Sequence, residues 1–227
     1  MPFEFRVGTS DAQVDRWLDA YFDEPWGHEL DLLPLMAARR QRWRPADLDP
    51  SSPVIRHLGW SLRRWSAFRN GSVGVSVAQS RLATHVGRFV EDIGTIFPGR
   101  LSEVPDDQLP SFARRLTERC LRFGKRVKGT ASCVLPSKTA HLLLPELVPA
   151  YDNAEIKNEV LAKLIPGRRR GEPFEIYVKL AWSVIQELRE RVALNRFRGT
   201  GGYSALFGTA SCIILSPLTG LIMSKVF

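Results

Sequence analysis

Apolar residues recur every three or four positions along most of the chain, which is the spacing of an amphipathic α-helix. The clearest case is 110–123, where Phe112, Leu116 and Cys120 share one side. Another is 54–69, introduced by Ser51-Ser52-Pro53, a helix cap followed by an early proline. Further helices are predicted within 1–24, around 32–43, and over 80–96, 154–164 and 173–195, together with a short apolar helix that carries Lys138 at its start. The predicted fold class is therefore all-α.

Two stretches depart from the helical pattern. Ser72 to Val77 alternates in a way compatible with a short strand, but it is too brief to support a sheet. Tyr203 to Met223 carries no charge over 21 residues and follows two arginines. That length and flank fit a marginal membrane span, whereas its Gly, Pro, Ser and Thr residues fit a packed terminal segment.

The pattern divides the chain into three parts. Residues 1–100 read as an N-terminal helical lobe, 101–200 as a helical core, and 201–227 as an apolar C-terminal segment. A chain of 227 residues is long enough to bury a substantial core. No repeat of fixed period interrupts this division.

Composition changes the picture mainly through charge. Hydrophobic residues make up 44% and charged residues 25%, as in globular proteins. The formal net charge of +8 favours an anionic partner, either nucleic acid or a membrane surface. Three cysteines without paired spacing indicate a reducing, cytoplasmic location, and the N-terminus shows no secretory signal.

Positive charge is concentrated in the 110–123 helix and just after it. The cations are Arg114, Arg115, Arg119, Arg122, Lys125, Arg126 and Lys128. Only Glu118 opposes them, whereas a solvated helix face usually mixes both signs through neighbouring pairs. We therefore predict that this face binds an anion, nucleic acid in particular.

Most catalytic and cofactor signatures are absent. The sequence has no P-loop, no dinucleotide-binding glycine motif and no nucleophile elbow, so no cofactor is predicted. Cys120, Cys133 and His141 lack the close spacing of zinc ligands, so no metal site is predicted.

Lys138 and Asp152 remain as a candidate catalytic pair. A lysine at the start of an apolar helix, near other cations, can lose its proton and attack a sugar carbon. An aspartate delivered opposite it by the turn at 145–149 would stabilise a cationic transition state and move protons. The same spacing also fits a surface lysine and a helix-capping aspartate.

The run Ser137-Lys138-x-Ala140, a short apolar stretch, and then Pro145-x-x-x-Pro149-x-x-Asp152 resembles the core of the helix–hairpin–helix DNA glycosylases. The likeness is greatest to the 8-oxoguanine glycosylase branch and is specific over 133–155. The resemblance implies an α-helical protein that flips a damaged base out of DNA. It also implies Lys138 as the attacking amine and Asp152 as its assistant.

The hairpin departs from the family pattern, and the helix between the lysine and the aspartate is about a turn shorter than in the family. Members carry Gly-hydrophobic-Gly in the hairpin before the lysine, where this chain has Val134-Leu135-Pro136. Pro136 has no N–H to offer a phosphate. The resulting expectation is a DNA N-glycosylase or lyase-like protein of genome repair or phage defence. The alternatives are a non-catalytic DNA-binding helical protein and a membrane-tethered accessory protein.

Overall fold

The regular structure of the described part of the chain is helical. The computed structural model describes residues 43–69, 71–152, 157, 161 and 173–189, and no strand occurs among them. The elements are α1 (Pro53–Arg64), α2 (Val75–Gly94), α3 (Leu109–Lys128), α4 (Val134–Leu143) and α5 (Pro173–Arg189), with 3-10 helices at Pro45–Leu48 and Leu101–Glu103. The predicted all-α class is therefore confirmed for these residues.

Several predictions lie outside the described residues. They are the helix within 1–24, the 32–43 helix except Trp43, the 154–164 helix except Lys157 and Leu161, and the segment 201–227.

Helix α1 begins and ends through local hydrogen bonds. Ser52 is its N-cap and accepts a hydrogen bond from the Ile55 amide at 3.3 Å, with Pro53 in the first turn, as predicted. At its C-terminus, the amide of Ser66 donates to Arg63 and that of Ala67 donates to Leu62, which is a Schellman arrangement. Ser66 accordingly has a positive φ of 53°, a conformation that glycine usually supplies.

Helix α2 begins five residues earlier than the pattern at 80–96 predicts. Val75 and Val77, which suggested a short strand, lie exposed in its first turn after the N-cap Gly74. The buried stripe starts only at Ala78 and continues every three or four residues to Ile93. The strand interpretation of 72–77 is wrong because an exposed first helical turn leaves no apolar period in the sequence.

Helix α3 is the central element, since α2, α4 and α5 all pack against it. Its predicted inner residues Phe112, Leu116 and Cys120 are all buried. The helix continues past the predicted end at Phe123, and Gly129, with φ of 75°, terminates it. Phe123 stacks on Phe89 of α2 with ring centroids 3.9 Å apart.

The buried core is continuous across residue 100, where the sequence suggested a boundary between two parts. One cluster of buried side chains includes Leu58 of α1, Leu82 of α2, Leu116 of α3 and Tyr177 of α5. On α5 Leu180 and Val184 are buried.

Candidate functional site

Helix α4 begins at Val134, so Val134-Leu135-Pro136 forms its first turn rather than a hairpin. Pro136 is tolerated there because the first amides of a helix have no intrahelical acceptor. The connection between α3 and α4 is the short segment 129–133. Lys138 consequently lies in the second turn of α4 and not at its start, which weakens the predicted influence of the helix dipole.

The structure brings Lys138 and Asp152 together. Lys138 Nζ lies 2.6 Å from Asp152 Oδ2. It also donates to the backbone oxygen of Trp65 at 3.0 Å and lies 5.8 Å from the centroid of the Trp65 ring. The Lys138 side chain is 10% exposed, whereas the Asp152 side chain is 31% exposed. The ion pair is therefore approached from solvent on its carboxylate side.

Two side chains of α4 hold the segment that carries Asp152. Ser137 Oγ donates to the Val134 oxygen at 3.1 Å and accepts from the amide of Tyr151 at 3.2 Å. One turn later, His141 Nδ1 lies 3.0 Å from the Val148 oxygen. Because Ser137 binds the residue next to Asp152 and is itself next to Lys138, it fixes the register of the pair.

His141 is a neutral imidazole in the folded protein. Its side chain is 1% exposed, and burial lowers its pKa to about 4, although the hydrogen bond to Val148 opposes that shift. A carbonyl oxygen only accepts, so Nδ1 carries the proton. The imidazole stacks on Trp65, with ring centroids 6.0 Å apart. His141 therefore supports both the indole and the turn that flank the pair.

Trp65 joins α1 to this site. It is the C-cap residue of α1, and its carbonyl, freed from the helical ladder, accepts from Lys138. The left-handed Ser66 that follows ends the helix at this point. A non-glycine residue in this conformation beside a functional group is a frequent feature of sites where local strain is retained.

Lys128 requires a correction to the predicted anion-binding set. It is 3% exposed, and its ammonium donates to the carbonyl oxygens of Ala67, at 3.0 Å, and Arg69. Burial lowers the pKa of Lys128, and the charge of Lys138 lowers it further. Lys128 therefore does not contribute to the exposed face. Because α3 continues to Lys128, its helical period turns this residue inward beside Gly124 and Val127.

The other six predicted cations form what we call the α3 cationic face: Arg114, Arg115, Arg119, Arg122, Lys125 and Arg126. Five of them are exposed and Arg119 is partly buried. Within the described residues none forms an ion pair with a carboxylate. Burial lowers the pKa of His85 on α2, and the charges of Arg126 and of Arg81 on α2 lower it further. The positive potential thus extends from α3 onto α2.

The described part of the chain contains neither a candidate metal site nor a membrane-spanning helix. In residues 43–69, 71–152 and 173–189, no cluster of three or more His, Cys, Asp or Glu side chains is suited to a metal ion. None of the helices given above combines the length and the apolar character needed to cross a bilayer. Cys120 and Cys133 are both buried free thiols.

The sequence contained signals for some residues of the site that the prediction missed. Trp65 falls on the predicted apolar stripe of 54–69, but nothing in the sequence showed that its carbonyl would meet Lys138. Ser137 was present in the motif, yet its partner Tyr151 is fourteen positions away.

Comparison of the chain with protein-family models, with characterised proteins and with solved structures gave no significant match.

Proposed function

We propose that this protein binds DNA and cleaves an N-glycosidic bond, with Lys138 as the nucleophile and Asp152 as its acid–base and electrostatic partner. The observation that carries the proposal is the 2.6 Å contact between the amine and a carboxylate that remains partly open to solvent. The order of α3, a short turn and α4 agrees with a helix–hairpin–helix glycosylase-like core. This finer assignment of the fold is part of the same proposal.

The chemistry begins with proton transfer inside the pair. Lys138 passes a proton to Asp152 Oδ2, to which it is already hydrogen-bonded, and the neutral amine attacks C1′ of a deoxyribose. The bond from C1′ to the base breaks, and the base leaves with the electron pair and takes up the proton held by Asp152, which becomes ionised again. The carboxylate then removes a proton from the alkylated nitrogen, whose lone pair opens the sugar ring, and it passes that proton to O4′ as the Schiff base forms. Ionised Asp152 stabilises the positive charge that develops on the sugar.

The α3 cationic face would supply the affinity for DNA. Within the described part of the chain its side chains have no carboxylate partner, so phosphates can take that place. Helix α3 ends at Lys128, whose ammonium contacts the same 65–69 turn as Lys138. A DNA backbone bound along α3 would therefore run toward the candidate pair.

Borohydride trapping tests the chemistry, because reduction converts a Schiff base into a stable link between protein and DNA. Duplexes carrying single 8-oxoguanine, uracil or abasic sites serve as substrates. We expect a covalent adduct with at least one of them, no adduct with Lys138→Gln, and a rate lowered by about a hundredfold or more with Asp152→Asn. Lys179→Gln is the matched control, since Lys179 pairs with Glu175 at 2.8 Å on α5, outside the site.

A second candidate function, DNA binding without catalysis, is favoured by the burial of Lys138. A buried lysine whose ammonium is held by a carboxylate, a carbonyl and an indole also suits a purely structural ion pair. In that case Lys138→Gln and Asp152→Asn destabilise the fold but leave DNA affinity unchanged. Absence of an adduct on every substrate, with salt-sensitive binding retained, would select this alternative.

A further inference from the structure

Helix α1 carries an exposed indole that takes no part in the candidate pair. Trp60 is 37% exposed, which is high for so large an apolar side chain. Its ring lies 5.3 Å from the imidazole of His57, with 30° between the planes, and 5.6 Å from the guanidinium carbon of Arg64. These three side chains are spaced along one face of the helix and hold the indole in a defined position.

The charged side chains that α1 places around Trp60 are all positive. Arg56, Arg63 and Arg64 are exposed on α1, and the helix contains no Asp or Glu. Among the described residues, none of these arginines has a carboxylate within ion-pair distance. An exposed, ordered aromatic ring between uncompensated guanidinium groups is the combination that proteins use to hold unpaired nucleotides.

We propose that this face of α1, which we call the Trp60 platform, binds single-stranded DNA. A base stacks on the His57, Trp60 and Arg64 cluster, while the neighbouring arginines contact the flanking phosphates. Every base has a π-face, so the platform binds without regard to sequence. The inference rests on the proposed function only in taking DNA as the ligand.

The position of the platform relates it to the candidate pair. Arg64 is the last residue of α1, and the next residue, Trp65, accepts a hydrogen bond from Lys138 through its carbonyl. Nucleotides bound along α1 would therefore lie beside the entrance to the pair. The platform would hold DNA next to a nucleotide that has left the duplex, while the α3 cationic face holds the duplex itself.

The test compares the affinity of the full chain for oligothymidylate and for a blunt duplex with no unpaired base, by fluorescence anisotropy over a range of salt concentrations. Trp60→Ala is expected to weaken binding to the single strand by about ten- to a hundredfold. The duplex affinity and the slope of affinity against salt should not change, because stacking releases no counterions. Trp60→Phe should lose less, since it retains an aromatic plane.

Val77→Ala is the matched control, because Val77 is an apolar side chain exposed at 45% on the neighbouring helix α2. Its affinity for both ligands should equal that of the parent protein. Arg63→Gln should weaken single-strand binding and reduce the salt slope by about one. Circular dichroism confirms that each variant keeps its helical content.

Three results would overturn the platform: no binding of the single strand by the parent protein, unchanged affinity in Trp60→Ala, or equal loss for single strand and duplex. Unchanged affinity would leave the face to a protein partner. These outcomes are separate from those of the trapping experiment. A Trp60 effect without any adduct rejects only the glycosidic chemistry, and an adduct without a Trp60 effect rejects only the platform.

Discussion

Single side chains with buried polar atoms hold the candidate pair in place. Lys138 has one carboxylate and one carbonyl as partners, and the neighbouring Lys128 has two carbonyls. Two ammonium groups therefore lie near one another, and Asp152 contacts that of Lys138. The pKa of Lys128 is lowered first by burial and second by the charge of Lys138. Removing any one of these partners should destabilise the fold, because it leaves a buried charge without compensation.

His141 should make the stability of the protein depend on pH. Its pKa is about 4 in the folded state, against 6.5 for an ordinary histidine, so between these values only the unfolded chain binds the proton. Stability should therefore fall by about 3 kcal/mol as the pH drops from 6.5 to 4. Urea unfolding of the parent protein and of His141→Asn measures this term.

The asparagine variant retains a donor for the Val148 oxygen but does not titrate. Its stability should accordingly show a weaker dependence on pH over the same window. Parallel pH profiles for the two proteins would exclude His141 as the source of the effect.

At the scale of elements, side chains of α4 hold the 145–152 segment, which carries Asp152, in position. Ser137 and His141 are four residues apart on one face of α4, and each binds the backbone of the 145–152 segment. Tyr151 adds apolar contact by packing against Phe174 and Tyr177 of α5. The position of Asp152 thus depends on two helices and not on its own turn alone.

Ser137→Ala should separate the pair while leaving its two residues intact. The change removes the hydrogen bond from the buried Tyr151 amide to Ser137 and should cost about 1–3 kcal/mol in the free energy of unfolding. Under the proposed function it should also slow adduct formation. Thr139→Val is the control, because Thr139 donates only to Leu135 within α4 and its loss leaves no amide unsatisfied. Equal effects of the two substitutions would contradict this role of Ser137.

The turn between α3 and α4 requires a glycine on the adjacent helix. A Cβ at Gly124 would overlap the carbonyl oxygen of Ser132. Gly124→Ala should therefore displace the turn and destabilise the protein by at least about 1 kcal/mol. Gly94→Ala is the matched substitution on α2, where a Cβ meets nothing within 4 Å, and it should be neutral or stabilising by up to about 1 kcal/mol. Thermal unfolding compares the two variants, and a stable Gly124→Ala protein would refute the close approach.

The sequence predicted the type of these elements better than their ends. The period of α3 identified Phe112, Leu116 and Cys120 as buried, because one helix face is enough to show that pattern. The end of α3 was placed too early, so Lys128 was assigned to the surface. Likewise, the family resemblance drew Val134 to Pro136 into a hairpin, although proline is well suited to a first helical turn. Contacts between residues far apart in the sequence, such as Trp65 and Lys138, leave no trace in the local periodicity.

At the scale of the whole molecule, the cations of α3 differ from a cation elsewhere on the surface in whether they have a carboxylate partner. The α3 cationic face lacks ion pairs in the described part of the chain, whereas Arg100 is paired with Glu146 at 2.8 Å. The net charge of +8 is therefore not spread evenly over neutralised surface pairs. Such an arrangement supports electrostatic association that weakens with salt.

The salt dependence of duplex binding should identify the residues that contact phosphate. Arg122→Gln is expected to weaken binding and to reduce the slope of log affinity against log salt by about one. Arg100→Gln should leave the slope unchanged, since this arginine is exposed but already paired. A slope that both variants share with the parent protein would show that α3 does not contact the DNA backbone.

The most direct test of the central claim is to locate the borohydride-trapped DNA on the chain by tryptic digestion and mass spectrometry. Trypsin does not cleave after a modified lysine. Attack by Lys138 therefore predicts a DNA-linked peptide spanning 129–157, uncut after Lys138. If Lys128, the neighbouring buried amine, were the nucleophile, the linked peptide would instead span 127–138. That second peptide, or the absence of any linked peptide, would contradict the account.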